Sequence, residues 1–351
     1  MARCIYIVQG EGRGHMSQAI ALSEILQKAG HTLEALFVGA GAGPGVPGYM
    51  SDRFQGKLHY FHSPYFLKTP NRKGIYVGKT IGFNLARSFI YLREVRRIRK
   101  EILRRQPDVV FNFYDVVGAL AMKRLPPSIK RIGIGHHFYL HLNGYECQGG
   151  MQLHRRLLSW HSRLIMQSCN RVLALSFRKE EGSGKIEVIP PLVRNDFRLI
   201  KHEPGNRFLV YLLNDGYIYD LILLARKDPE FKADLFTSLD PEVEMPEGIR
   251  IYPYSDEKFR EKMASCRGII ATAGFDTAAE AAYHGIPLAV IPARNHFEQR
   301  CNGVDIERNG IGTKLLAFES VIIDNLQTFD FTAYRIWVNN AEELILKSMM
   351  E

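Results

Sequence analysis

Residues 272–280 read TAGFDTAAE, and their types and spacing suit a phosphate next to a sugar. Gly274 lets the chain turn closely at the mouth of a helix. Such a mouth offers unpaired N–H groups and the positive end of the dipole to an anion. The hydroxyls of Thr272 and Thr277 flank that position, with Ala273, Phe275 and Asp276 completing the turn. One helical turn further, Glu280 carries a carboxylate able to accept two hydrogen bonds from a vicinal diol such as a ribose. Beyond the next strand, Glu298 and Gln299 supply polar groups suited to a second polyol. A second reactive stretch opens the chain: QGEGRGHMSQA, residues 9–19, a glycine-rich turn that ends in Gly14 and His15. An imidazole near its ordinary pKa can take a proton at cellular pH.

These residues need elements to hold them. Cys4–Val8 reads as a short buried strand, and Met16–Ala29 carries apolar residues at helical spacing until Gly30 stops it. The series continues with strand Leu33–Val38, a basic helix, strand Val109–Tyr114, helix Val116–Arg124, strand Arg131–Gly135, helix Leu153–Ser168 and strand Val172–Leu175. Residues 178–197, RKEEGSGKIEVIPPLVRNDF, hold a Gly-Ser turn, a short strand and a Pro-Pro pair, the composition of a domain junction. A second series follows, with strands Phe208–Leu213, Ala233–Phe236, Ile249–Tyr252, Gly268–Ala271 and Leu288–Ile291, and helix Thr277–His284 ended by Gly285. This alternation predicts an α/β protein with parallel sheets in two domains, residues 1–192 and 193–330. A last helix from about Ala333 to Met350, within residues 331–351, is expected to pack back across the first domain.

Competing motifs fit less well. A dinucleotide turn wants glycines at its first, third and sixth positions and an acid at the end of the second strand. Gly10 and Gly12 comply, but the sixth position is His15 and the second strand runs out in GAGAGPG. A glycine turn that serves only close helix packing leaves the histidine unexplained. GIYVGKT at residues 74–80 resembles a phosphate loop but has three residues between its glycines where four are needed. His137 and His141 stand four apart, yet the segment leaves a strand and has no adjacent acid or cysteine, so a cleft lining is favoured over a metal site.

Composition sets the surroundings. With 351 residues and 46% hydrophobic content the chain is long enough for two cores. The five cysteines, Cys4, Cys147, Cys169, Cys266 and Cys301, are scattered without a CxxC pair, which points to a reducing compartment rather than to disulfides or zinc. No apolar run approaches a membrane span, and Gly10 and Glu11 interrupt the first one, so a cytoplasmic location is expected. The net charge of +9 is largely local: residues 87–105 hold eight Arg or Lys and two Glu. Leu85, Phe89, Leu92, Val95, Ile98 and Ile102 form an apolar stripe along that helix. A packed helix with a solvated basic face is the plain reading, and peripheral contact of helix 85–105 with an anionic inner membrane face is the alternative. Nucleic acid is not expected, because no aromatics interleave with the basic residues.

The motif at 263–303 resembles the donor-binding segment of the GT-B glycosyltransferases. The likeness is to those related to the peptidoglycan N-acetylglucosaminyl transferase and to the plant and animal glucuronosyl and glucosyl transferases. It rests on Gly274, Thr277, Glu280, Gly285 with Pro287, Pro292, the pair Glu298–Gln299, and Asn302. The same family opens with a glycine-rich turn bearing a histidine, matched by Gly10, Gly12, Gly14 and His15. The resemblance implies two Rossmann-like domains facing across a cleft and a nucleotide-sugar donor, with UDP as the expected nucleotide. It implies that Thr272–Thr277 binds the diphosphate, Glu280 the ribose, and Glu298 and Gln299 the sugar. Some relatives have histidine where Thr272 stands, and a more glycine-rich turn where this chain has LLNDGY. Retaining members also carry a glutamate at the position of Thr272, so inversion is the expected course.

Sugar transfer then needs a stabilised leaving group and a base for the acceptor hydroxyl. His15 is the candidate base, with a helix-capping role as its structural alternative. Asp115, at the end of the strand VVFNFY, is the candidate to orient the imidazole, with an ordinary N-cap as its alternative. No metal and no cofactor are expected beyond the nucleotide-sugar substrate, and the acceptor is a glycan, a lipid or a small molecule. An epimerase or hydrolase on the same fold, or a non-catalytic nucleotide-sugar binder, stays open.

Overall fold

A computed structural model of the protein describes residues 1–41, 47–142, 151–237, 243–318, 326 and 331–350. Cys147 and the end of the GAGAGPG run lie outside the described residues. The first sheet contains β1 (Arg3–Gln9), β2 (Thr32–Ala40), β3 (Leu58–His62), β4 (Val109–Phe113), β5 (Lys130–Gly135), β6 (Arg171–Leu175) and β7 (Ile186–Ile189). Their order is β3-β2-β1-β4-β5-β6-β7, every pair parallel. The second sheet contains β8 (Arg207–Tyr211), β9 (Ala233–Phe236), β10 (Ile249–Tyr252), β11 (Cys266–Thr272), β12 (Leu288–Ile291) and β13 (Thr313–Lys314), in the order β10-β9-β8-β11-β12-β13, again parallel.

Parallel strands are covered on both faces and so read as unbroken apolar runs. Cys4–Val8 and Leu288–Ile291 are buried at every position. The helices that cover them are α1 (Gly14–Lys28), α2 (Gly48–Arg53), α3 (Val77–Ala86), α4 (Ser88–Arg105), α5 (Val116–Met122) and α6 (Gln152–Gln167) on the first sheet. On the second side are α7 (Asn195–Arg198), α8 (Ile218–Lys227), α9 (Asp256–Ala264), α10 (Phe275–His284) and α11 (Phe297–Arg308). In each sheet the strand order reverses once, between β1 and β4 and between β8 and β11. Crevices form outside the carboxyl ends of strands at such points, and α1 and α10 both start there.

Several elements differ from the sequence reading. The short β3 and β13 and helix α2 carry too few residues for a clear periodicity. The basic helix is two helices that break at Arg87, which separates Leu85 from the rest of the stripe. The face of α4 turned to the core is Tyr91, Val95, Ile98 and Ile102, whereas Leu85 is 71% and Phe89 61% exposed. The final helix is likewise two, Thr332–Asn339 and Ala341–Met350. The first packs on α10, with the Tyr334 hydroxyl donating to the Ala279 carbonyl at 3.1 Å. The second lies along β7 of the first sheet. There Ser348 donates to Glu187 and Lys130 donates to the Met349 carbonyl, and the Trp337 indole donates to the Ser176 carbonyl at 2.9 Å.

A strap leaves β3 and crosses to the second domain before α3 begins. Arg294 donates its N–H to the Lys73 carbonyl at 2.9 Å, and Gly74 forms a β-bridge with Arg294. Lys73 binds both carboxylate oxygens of Asp220 at 2.8 Å, and Arg72 pairs with the buried Asp215 at 2.8 Å. A Cβ on Gly216 would lie 1.9 Å from the Asn71 carbonyl oxygen, so the strap runs directly against the second domain's backbone there. The phosphate-loop lookalike thus sits in a crossing segment, not after a strand.

Candidate active site

Helices α1 and α10 meet across the cleft by their N-terminal turns. Gly14 begins α1, and a Cβ there would stand 2.1 Å from Asp276 Oδ2, so any side chain would have to displace that carboxylate. One turn on, Gln18 Nε2 donates to Asp276 Oδ1 at 2.9 Å and Oδ2 at 3.2 Å. Ser17 donates to Glu280 Oε1 at 3.4 Å. His15, in the first turn of α1, has Nδ1 3.4 Å from Gln18 Oε1 and its ring 5.6 Å from that of His137. His137 in turn stacks on Tyr114 at 3.9 Å, and its Nε2 is 2.9 Å from Glu298 Oε2 of α11. Its Nδ1 is buried and has no hydrogen-bond partner among the described residues.

The second domain's turn is well braced. Thr272 ends β11, where its Oγ1 accepts from the Leu213 N–H at 3.3 Å. The Ala273 carbonyl accepts from Asn302 Nδ2 at 3.1 Å. Gly274 precedes α10 as its cap, with its N–H directed to the Thr272 carbonyl at 2.6 Å. Phe275 stacks on His136 at 4.1 Å and packs on Phe177 at 4.6 Å, both in the first domain. Thr277 is half-buried in the first turn of α10. Gln299 is buried in α11, where its Oε1 accepts from the Ala293 N–H at 2.9 Å. That bond ties the loop after β12 to the helix.

The electrostatics follow from burial. Loss of water pushes Glu280 up to about 8, against the pull of Arg194, and raises Asp276 to about 6, against the amide of Gln18. Burial and the neighbouring His137 lower His15 to about 4, so its imidazole is neutral at cellular pH. This departs from the expected value near 6.5, which assumed an exposed side chain. Burial alone would raise the Glu298 carboxyl, but His137, with His296 and His15, outweighs it and holds Glu298 well below the usual carboxylate range.

Asp115 is placed differently from the expected imidazole partner. Its Oδ1 accepts from the Gly118 N–H at 2.7 Å, which caps α5, and its Oδ2 accepts from Ser63. The Asn112 side chain brackets its backbone at 2.8 Å on both sides. The group beside His15 Nδ1 is Gln18, three residues along the same helix face. That spacing was readable in the sequence. Arg194 was not: it is buried, bonded to Asp256 at 2.7 Å, and recognisable as a cleft residue only once the chain is folded.

The two facing Rossmann-like units, with a histidine-bearing helix mouth opposed to an acid-bearing one, define a GT-B type α/β protein. Residues 2–331 match the family model described as Glycosyl transferase family 1, and the chain belongs to that family; it is a glycosyltransferase. An uncharacterized glycosyltransferase of Methanosarcina mazei is 25% identical over 348 residues, which cover 89% of this chain and 85% of that protein. Among solved structures, MurG of Acinetobacter baumannii superposes with a TM-score of 0.59 at 14% identity, over 100% of this chain and 99% of that one. Phytolacca americana UGT2, solved with UDP-2-fluoro-glucose and pterostilbene, gives 0.63 at 10% identity, over 98% and 94%. Both likenesses concern the fold.

Proposed function

We propose that the protein moves a sugar from a nucleoside diphosphate, UDP as the first choice, to an acceptor hydroxyl, with inversion and without a metal or cofactor. The observation that carries this reading is the close approach of Gly14, the residue before His15, to Asp276 of the turn 272–277. The diphosphate lies at the mouth of α10, where backbone N–H groups, the helix dipole and the hydroxyls of Thr272 and Thr277 receive it. Glu280 holds the ribose, and Glu298 and Gln299 hold the sugar.

The acceptor oxygen attacks the anomeric carbon on the face opposite the diphosphate. Its proton passes to the neutral imidazole of His15, the new C–O bond forms, and the old one breaks with its electron pair leaving on the diphosphate. Gln18 positions the ring. Donor entry requires the domains to part, because Gln18, Ser17 and His137 now occupy Asp276, Glu280 and Glu298. Opening also returns water to His15 and raises its basicity.

The acceptor arrives from the first domain. Among the described residues no helix is long and apolar enough to cross a membrane. The exposed Leu85, Phe89 and Leu92, beside Arg87, Arg93, Arg96 and Lys100, suit contact with an anionic bilayer at the cytoplasmic face. A lipid-linked hydroxyl fits that surface.

The test is a calorimetric screen of the full chain against UDP-, GDP- and dTDP-sugars, followed by product analysis with candidate acceptors in the presence and absence of EDTA. Binding of one nucleotide family and acceptor-dependent, EDTA-insensitive transfer with inverted stereochemistry is the expected result. Nucleotide release without an acceptor product would replace the reading with a hydrolase. Binding with no turnover under any acceptor would replace it with a sensor.

A further inference from the structure

The charged side chains that the second domain sets in and beside the turn 272–277 include Asp276, Glu280 and Glu298, and its Arg194, close enough to act on Glu280, is already bonded to Asp256. A diphosphate seated among three acids, and gaining charge as the sugar leaves, needs positive charge from elsewhere. The first domain supplies cations at its boundary with the second. Arg72 and Lys73 of the strap are already paired, with Asp215 and Asp220.

Two are not. Lys68 and Arg13 have no carboxylate within ion-pair distance among the described residues. Lys68 Nζ donates to the Leu213 carbonyl at 2.9 Å, and the N–H of that same Leu213 donates to Thr272 Oγ1, so the ammonium stands one residue from the start of the turn. Arg13 immediately precedes Gly14, the residue that touches Asp276 at the other end of the turn. Its guanidinium lies 4.1 Å over the ring of Tyr254 in the loop before α9. Glu11, in the same opening turn as Arg13, accepts the Phe66 N–H at 3.0 Å through both oxygens and so holds the strap that carries Lys68.

Building on the donor site proposed above, we infer that Lys68 and Arg13 are diphosphate ligands that the first domain lends to the second, one at each end of the turn. On donor binding Lys68 exchanges the Leu213 carbonyl for a phosphate oxygen, and Arg13 swings from the Tyr254 ring to a second one. A charged hydrogen bond of this kind is stronger than the neutral contacts it replaces. Full neutralisation then exists only with the domains closed, which ties departure of the leaving group to the state in which His15 faces the sugar.

The experiment is calorimetry on the full chain with UDP, GDP, CDP and dTDP and with the four matching nucleosides. Lys68→Gln and Arg13→Gln are each expected to weaken the best diphosphate about tenfold while leaving its nucleoside unchanged, with Lys68→Arg restoring most of the loss. Lys227→Gln, exposed in the last turn of α8, controls for a general change in charge and is expected to bind as the wild type. Diphosphate affinity equal to wild type in both variants overturns the inference, and so does an equal loss for nucleoside and diphosphate, which would make the residues supports of the cleft. If the wild type binds none of the diphosphates, the donor site itself is wrong and this inference falls with it.

Discussion

Helices α1 and α10 occupy equivalent places, each at the carboxyl end of a central strand, yet their first turns are opposites. That of α1 has no acid and presents Gly14, His15 and the amide of Gln18. That of α10 presents Asp276, with Glu280 one turn on, both raised by burial. A helix mouth favours negative charge, which works against the burial that raises the acids of α10, at the place where the proposed diphosphate would also bind. The histidine of α1 has no such compensation and is driven neutral. One side of the cleft is therefore suited to taking a proton and the other to handling polar, charged groups of the donor.

Four measurements would break or sharpen that contrast. The largest effect is expected from His15→Ala, which should lower kcat by roughly 10² to 10⁴ while leaving nucleotide Kd within about twofold. Equal losses in both quantities would erase the division of labour between the helices. Gly14→Ala comes next. On propensity alone it should stabilise the helix, but its Cβ meets Asp276 Oδ2, so a net loss of about 1–3 kcal/mol in denaturant unfolding is expected.

Glu280 gives the pH signature. Its carboxyl is raised from 4.5 to about 8 in the closed protein, so the protonated form is the stable one and stability falls as pH rises towards 8. The buried histidines, His15, His136 and His161 among them, act the other way, because their unfolded forms lose a proton near pH 6.5 while the folded ones are already neutral, so their contribution to stability rises with pH. Glu280 alone therefore contributes a loss of about 1–2 kcal/mol between pH 6.5 and 8, and the Tm of Glu280→Gln should fall less with pH, or rise more, than that of the wild type. The smallest effect is Gln18→Ala, about 1 kcal/mol, larger at pH 7 than at pH 5 because it deprives an ionised Asp276 of its donor.

Much of this was legible in the sequence because local signals and global fold agree. Buried parallel strands announce themselves as apolar runs, and the turn 272–280 combines a glycine, hydroxyls and an acid at fixed offsets. What stayed hidden depends on contacts between residues far apart in the chain. Nothing local distinguishes the cap Asp115 from an imidazole partner, since both uses place an acid after a strand. The strap 63–76 has no periodicity to read, and its meaning lies in Asp215, Asp220 and Arg294, which it reaches across the cleft. The stripe on residues 85–102 misled because helical spacing was continued through Arg87, where the helix breaks.

The two helices of residues 332–350 have a consequence for how the molecule is made. Among the described residues strand β7 pairs with no strand but β6 and stands at the edge of the first sheet. Its cover, the helix Ala341–Met350, is translated after all thirteen described strands. The half synthesised first is thus finished last, and throughout elongation it carries an unprotected edge on which a neighbouring nascent chain can pair.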